Sequence, residues 1–166
     1  RVKVSLNLKA DSSLPELLRF GFTMGIPGSH SKTSYYGAGP WASYSDRKRS
    51  VEVAKYYLKS DEYFHNYAMP QENGNRTATR WLKLMDDQSK GLQITGLPKF
   101  EFNIWPYSQE NIDEAKHPYD LKKQGFYTVN IHLQQTGHGG MRSCPFPHQM
   151  LSAGNYKFSF EMGPTK

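Results

Sequence analysis

Apolar and polar residues alternate with a period of two through most of this chain. Val2, Val4, Leu6 and Leu8 interleave with Lys3, Ser5, Asn7 and Lys9, and Leu18, Phe20, Phe22 and Met24 with Arg19, Gly21 and Thr23. Val51 and Val53 lead into a tyrosine pair, and Trp81 sits in "TRWLKLMD". Leu92 and Ile94 precede Phe100, Phe102 and Ile104, and the runs Tyr127, Val129, Ile131, Leu133 and Tyr156, Phe158, Phe160 alternate again. A strand turns successive side chains to opposite faces, so each run predicts a strand with one buried face. Gly, Pro, Asn or Ser separates most of them, which predicts antiparallel strands and an all-β sandwich. "GIPGSHSK" at 25–32 reads as a loop, and Asp86-Asp87 before "QSKG" as a hairpin turn. His132, between Ile131 and Leu133, belongs to the opposite face from them and is expected at the surface.

One segment breaks the period. "YSQENIDEAKH" offers Ser108 as N-cap, Glu110 and Asp113 in the first turns, and Ile112 and Ala115 on one face. With Lys116 and His117 at its end and Pro118 beyond, it predicts one short helix near 109–117. A second irregular stretch, "MPQENGNRTATR" at 69–80, has almost nothing to bury. It is either a loop satisfied within itself or a surface that meets something polar, and the first reading is preferred for each single residue. Arg80 and Trp81 belong to the strand that follows.

The 166 residues suffice for one domain with a core. Aromatics at 14% supply bulky material for a β-rich interior. No apolar run approaches the roughly 20 residues of a membrane helix, and no charged-then-apolar leader opens the chain, so a soluble protein is expected. A chain that starts without Met, inside an alternating pattern, predicts a piece of something longer. The single cysteine, Cys144, gives neither an internal disulfide nor a zinc cluster, and leaves cytoplasm and periplasm equally open. The net charge of +6 is scattered, with "DRKRS" its densest cluster and no nucleic-acid motif beside it, so neither nucleic acid nor membrane is an expected partner.

Glycosidases need two carboxyl groups facing each other across a sugar. Asp46, Asp61, Glu62, Glu72, Asp86, Asp87, Glu101 and Asp120 qualify by type, but no spacing marks a pair. The six histidines show no metal spacing. Cys144 and His148 are a conceivable nucleophile pair with no third group to orient them, so a loop shaped by Gly and Pro is the default there. "NRT" at 75–77 fits a glycosylation sequon too short to carry weight.

Five segments in order then carry a resemblance. Gly37, Gly39, Pro40, Tyr44, Asp46 and Arg47 fill the form G-x-G-P-x-x-x-Y-x-D-R, and Tyr67, Pro70, Glu72, Asn73, Gly74 and Arg76 fill Y-x-x-P-x-E-N-G-x-R. "FNIWPYSQENIDEAKHPYDL", "GHGG" and "LSAGNYKFSF" follow. The chain thereby resembles the C-terminal domain of family 2 glycoside hydrolases of the β-galactosidase type. The resemblance implies an antiparallel supersandwich of galactose-mutarotase type, present here in part, as a single domain over 1–166. It implies that the acid/base and nucleophile glutamates, and the Mg and Na ions of such enzymes, belong to other domains. This chain would then hold no catalytic residue, cofactor or metal, and would help to wall the sugar pocket.

In the family a tryptophan in G-G-D-D-S-W stacks on the sugar. Here Met141 and Arg142 replace the aspartates, Ser143 matches, and Cys144 stands at the tryptophan position. A thiol offers no such platform, which leaves Phe146 or Trp41 to supply an aromatic face. The substrate-proximal candidates are Glu72, Asn73, Arg76, His117, Arg142, Ser143, Cys144 and Phe146. Implied partners are the remaining domains of the parent glycosidase, a galactoside, and a second copy through exposed strand edges. A free-standing carbohydrate-binding module and a mutarotase-like enzyme are the alternatives, the latter on fold analogy alone.

Overall fold

The alternating runs do become strands. The structure, a computed structural model, describes residues 1–139 and 145–165. It contains β1 (Val2–Lys9), β2 (Arg19–Pro27), β3 (Lys32–Gly39), β4 (Glu52–Lys59), β5 (Arg76–Met85), β6 (Gly91–Trp105), α1 (Gln109–Glu114), β7 (Phe126–Gln135) and β8 (Asn155–Pro164). All pairings between these strands are antiparallel, and the main path runs β1-β8-β6-β5-β3-β4, with β7 bridging β6 and β2. Among the described residues no helix is long and apolar enough to cross a membrane.

The long strand β6 organises the molecule. One side follows β5, while the other divides: Leu92–Gly96 pairs β8 and Glu101–Trp105 pairs β7. The bend lies at 96–99, where the register against β5 shifts. A Cβ on Gly96 would lie 2.9 Å from Lys99 Cα, so the close return of the chain requires glycine there. The two branches then face each other. Phe22 of β2 meets Phe160 of β8 with ring centroids 6.1 Å apart, and Phe20 meets Tyr156 at the same separation. Between them lie Leu82, Ile94, Phe102, Ile104, Val129 and Ile131, none with any exposed area. Except for Leu82, these are inward positions that the alternation predicts; in β5 Leu82 and Leu84 rather than Trp81 turn inward, and in β4 Val53 is exposed.

Strand β3 was not legible as an alternating run, and its position explains why. It lies between β4 and β5, and Thr33, Ser34, Tyr35, Gly37, Ala38 and Gly39 are all buried. A strand covered on both faces has no polar side to display. The strands β1, β2 and β4 each pair with one neighbour only, so each presents an unpaired edge among the described residues.

Two expectations change. The helix is shorter than 109–117: Ser108 Oγ accepts the Asn111 N–H at 3.2 Å as predicted, but Ala115 is already extended. The Asp120 carboxylate accepts the N–H groups of Lys116 and His117 at 3.1 and 2.9 Å and holds them outside the helix. His132 is not at the surface. It is 1% exposed, because the second face of β6 and β7 is covered too. There Trp105 donates its indole N–H to Asn73 O at 2.8 Å, and Thr128 its hydroxyl to Tyr107 O at 2.8 Å. Trp105, Tyr107 and Ile112, with Phe64 and Leu121, form a small second core.

Candidate functional site

Polar residues in three separate stretches, 41–47, 71–77 and the described residues 135–139 and 145–149, converge at one end of the sandwich. Ser43 N donates to Asn75 O at 2.8 Å, Asn75 Nδ2 returns a bond to Ser43 O at 3.0 Å, and the Ser43 and Thr77 hydroxyls meet at 2.9 Å. The first stretch is thus stitched to the second. It also holds the third: Asp46 Oδ2 accepts the Gly139 N–H at 2.8 Å, and Ser45 Oγ donates to Gln149 O at 3.1 Å. The same Gln149 carbonyl takes the Gly137 N–H at 3.0 Å, and His138 stands edge-on to Tyr44 at 5.1 Å. Partial burial pushes the Asp46 carboxyl up, but backbone N–H donation from His138 and Gly139 outweighs it and holds its pKa below the ordinary aspartate value.

Glu72 sits at the centre of a second network. Arg19 forms an ion pair with it at 2.5 Å, and Gln135 Nε2 donates to the same oxygen at 2.8 Å. The other arm of Arg19 reaches Gln109 Oε1 at 2.9 Å, and its guanidinium lies 5.6 Å from the centre of the Trp105 ring. Burial raises the Glu72 pKa, with Arg19 and Gln135 opposing. Glu101, bonded by Asn75 Nδ2 at 2.9 Å and Gln135 N at 3.3 Å, is pushed by burial to about 7.

Two clefts meet at Tyr44. One, of about 290 Å³, is lined by Leu18, Gln71, Glu72 and residues 135–138. The other, of about 310 Å³, is lined by Trp41, Arg47, Glu62, 63–65, Tyr67, Asn73, Gly74 and Arg76. Each is lined by a single carboxylate among the described residues. Among those residues no three His, Cys, Asp or Glu side chains gather as a metal would need.

The candidates are distributed unevenly over this ground. Glu72 lines the first cleft, while Asn73 and Arg76 line the second. Asn73 is fully engaged: its Oδ1 accepts the His65 N–H at 2.8 Å, and its Nδ2 donates to His65 O and Gln71 O. Arg76 is 4% exposed. Phe146 is 58% exposed and stacks on His148 at 5.8 Å. His117 lines neither cleft; it stacks on Tyr119 at 4.9 Å beside Asp120. Arg142, Ser143 and Cys144 lie outside the described residues. Asn75 of the sequon has no exposed area, so the folded chain cannot present it for glycosylation. The polar stretch 69–80 is thus largely interior, but it is not satisfied within itself: Glu72 bonds Arg19 and Gln135, Asn75 bonds Ser43 and Glu101, and Arg76 Nε is buried without a partner among the described residues. Arg19 and Gln135 carried no signal in the sequence, since they lie 53 and 63 residues from Glu72.

The pattern that describes the beta galactosidase small chain matches residues 1–162. The chain belongs to that family. Among curated relatives, it is 33% identical to a beta-galactosidase of Streptococcus thermophilus over 99% of its own length and 16% of the relative's. The figures are 32%, 84% and 13% for a beta-galactosidase of Priestia megaterium, and 30%, 97% and 16% for one of Kluyveromyces lactis. The chain therefore spans less than a fifth of the length of these relatives. Family membership agrees with the all-β antiparallel architecture.

Proposed function

We propose that this chain acts as the C-terminal domain of a family 2 glycoside hydrolase of β-galactosidase type, and walls the pocket in which other domains carry out the hydrolysis. The observation that carries the reading is the Asp46 clamp. It fixes the start of the loop that leads into residues 140–144, where a sugar-facing platform is expected from the family. A wall must be rigid to exclude water from a site that favours an oxocarbenium-like transition state. Here three backbone or side-chain bonds from Asp46, Ser45 and Gln149 supply that rigidity. In place of the thiol of Cys144, Phe146 offers the flat apolar face on which a pyranose stacks, and its neighbour His148 backs it. Catalytic carboxylates, and the Mg and Na ions of such enzymes, belong in this reading to the remaining domains.

The test uses the complete polypeptide that carries this chain and an aryl β-galactoside. Asp46→Ala and Phe146→Ala are each expected to raise KM about tenfold with a smaller fall in kcat, as loss of one stacking or positioning contact does. Unchanged kinetics in both variants, or turnover by the isolated 166-residue chain, would overturn the reading.

A further inference from the structure

The cleft that contains Arg76 has a composition the wall role does not use. Its rim carries Trp41, 66% exposed, and the edge-to-face pair His65–Tyr67 at 4.5 Å. Below them Tyr63 is 2% exposed, and the Arg76 guanidinium lies 5.0 Å from the centre of its ring. The backbone closes tightly over this floor. Gly74 has φ +83°, and a Cβ there would stand 2.2 Å from Tyr63 O, so only glycine fits.

The charges are unbalanced. Arg47 and Arg76 both line the cleft, and among the described residues neither forms an ion pair with a carboxylate. Arg76 donates to the neutral carbonyls of Gly74 and Asn75, at 2.8 and 3.3 Å, and meets the neutral Tyr35 phenol, while its Nε is buried without a partner. Glu62, the acid of the lining, already accepts the Lys59 N–H at 2.9 Å. A buried guanidinium with neutral acceptors keeps most of its desolvation cost, and an oxyanion able to accept two parallel N–H bonds is the group that offsets it best. The exposed indole adds a flat apolar surface of the kind that stacks on a sugar ring, and the volume lies at the small-molecule end of ligand sites.

We propose that this cleft binds an anionic pyranose, with the ring against Trp41 and a carboxylate or sulfate ester toward Arg47 and Arg76. The inference rests on the cleft's own side chains, so its failure would leave the wall reading intact.

The test is a titration of the 166-residue chain, followed through its backbone amide and indole NMR signals, with galacturonate, galactose 6-sulfate, galactose and glutamate. Galacturonate or galactose 6-sulfate should shift signals of Trp41, Arg47 and Gly74 saturably, and which of the two is tighter distinguishes carboxylate from sulfate. Neutral galactose should bind about tenfold more weakly, the effect of one lost charge-assisted contact. Trp41→Ala and Arg47→Ala alter exposed residues and should fold; each should weaken the acidic sugar about fivefold or more. Four results would overturn the proposal: no saturable shift, galactose as tight as the acidic sugars, or indifference to Trp41→Ala. The fourth is glutamate as tight as galacturonate, which would mark a seat for an acidic side chain of another domain.

Discussion

Strands β6 and β7 bury both of their faces, but by opposite chemistry. The inward face carries Phe102, Ile104, Val129 and Ile131, with no polar atom to satisfy. The outward face carries Asn103, Trp105, Asn130 and His132, all at most 1% exposed, under the segments that contain Asn73 and Tyr107. The first face needs only volume and apolar area to be filled. The second needs each polar atom to meet a particular partner, because an unpaired buried group costs more than a made hydrogen bond returns. The polar face meets this demand through specific bonds such as Asn130–Asn103 and Trp105–Asn73, but not throughout, since His132 Nε2 and, beside it, Gln135 Oε1 are buried without a hydrogen-bond partner among the described residues. Arg19, Glu72 and Gln135 meet beside it.

The sharpest break in this comparison comes from the inward face. Phe102 meets Tyr35 edge-on at 5.2 Å and Tyr63 at 5.6 Å, so Phe102→Ala leaves a cavity among rigid rings. The expected loss is about 3–5 kcal/mol by urea unfolding. On the outward face, Asn130 Nδ2 donates to Asn103 Oδ1 at 2.6 Å. Asn130→Ala strands a buried acceptor and should cost about 2–3 kcal/mol. Because Asn103→Ala removes the same bond, the double variant should cost about 1 kcal/mol less than the sum of the singles. Strict additivity would mean that the two amides do not act as a unit.

This division also sets how much the chain discloses before it folds. The inward face shows at once, since Phe100, Phe102 and Ile104 cannot alternate with Glu101 and Asn103 by helical spacing. The outward face reads as solvent-facing, and alternation alone predicts His132 at the surface, because alternation reports which residues are polar and not what covers them. Strand β3 shows no alternation for a related reason: Thr33, Ser34, Gly37 and Ala38 are small or polar, yet residues on both of its faces are buried. At the site, Tyr44 and Asp46 stood out within an ordered motif. The Arg19–Glu72–Gln135 network did not, because contacts between distant strands leave no local period to read.

The finest test sets one residue of each charge type on the polar face against the other. Glu101, partly buried, and His132, fully buried, are cross-strand partners near Arg19, Asn75 and Gln135, and lost hydration favours the neutral form of each. Burial raises the Glu101 pKa to about 7 from 4.5, so between these values the folded chain holds a proton that the unfolded chain releases. Stability from this residue is full below 4.5 and falls as pH rises. Burial, with Arg19 adding, lowers the His132 pKa to about 3 from 6.5. Between those values the unfolded chain binds a proton that the folded chain refuses, so this contribution is full above 6.5 and is lost as pH falls. From about pH 4.5 to 6.5 the two slopes oppose, and the native protein should lose little stability in either direction. Glu101→Gln should expose the histidine slope, gaining about 1–2 kcal/mol across that window as pH rises, and His132→Gln should lose a similar amount. Urea midpoints at pH 4.5, 5.5 and 6.5 would show the two variants diverging in opposite directions. Parallel profiles would mean that water reaches this face, and that its polar groups are not buried as a set.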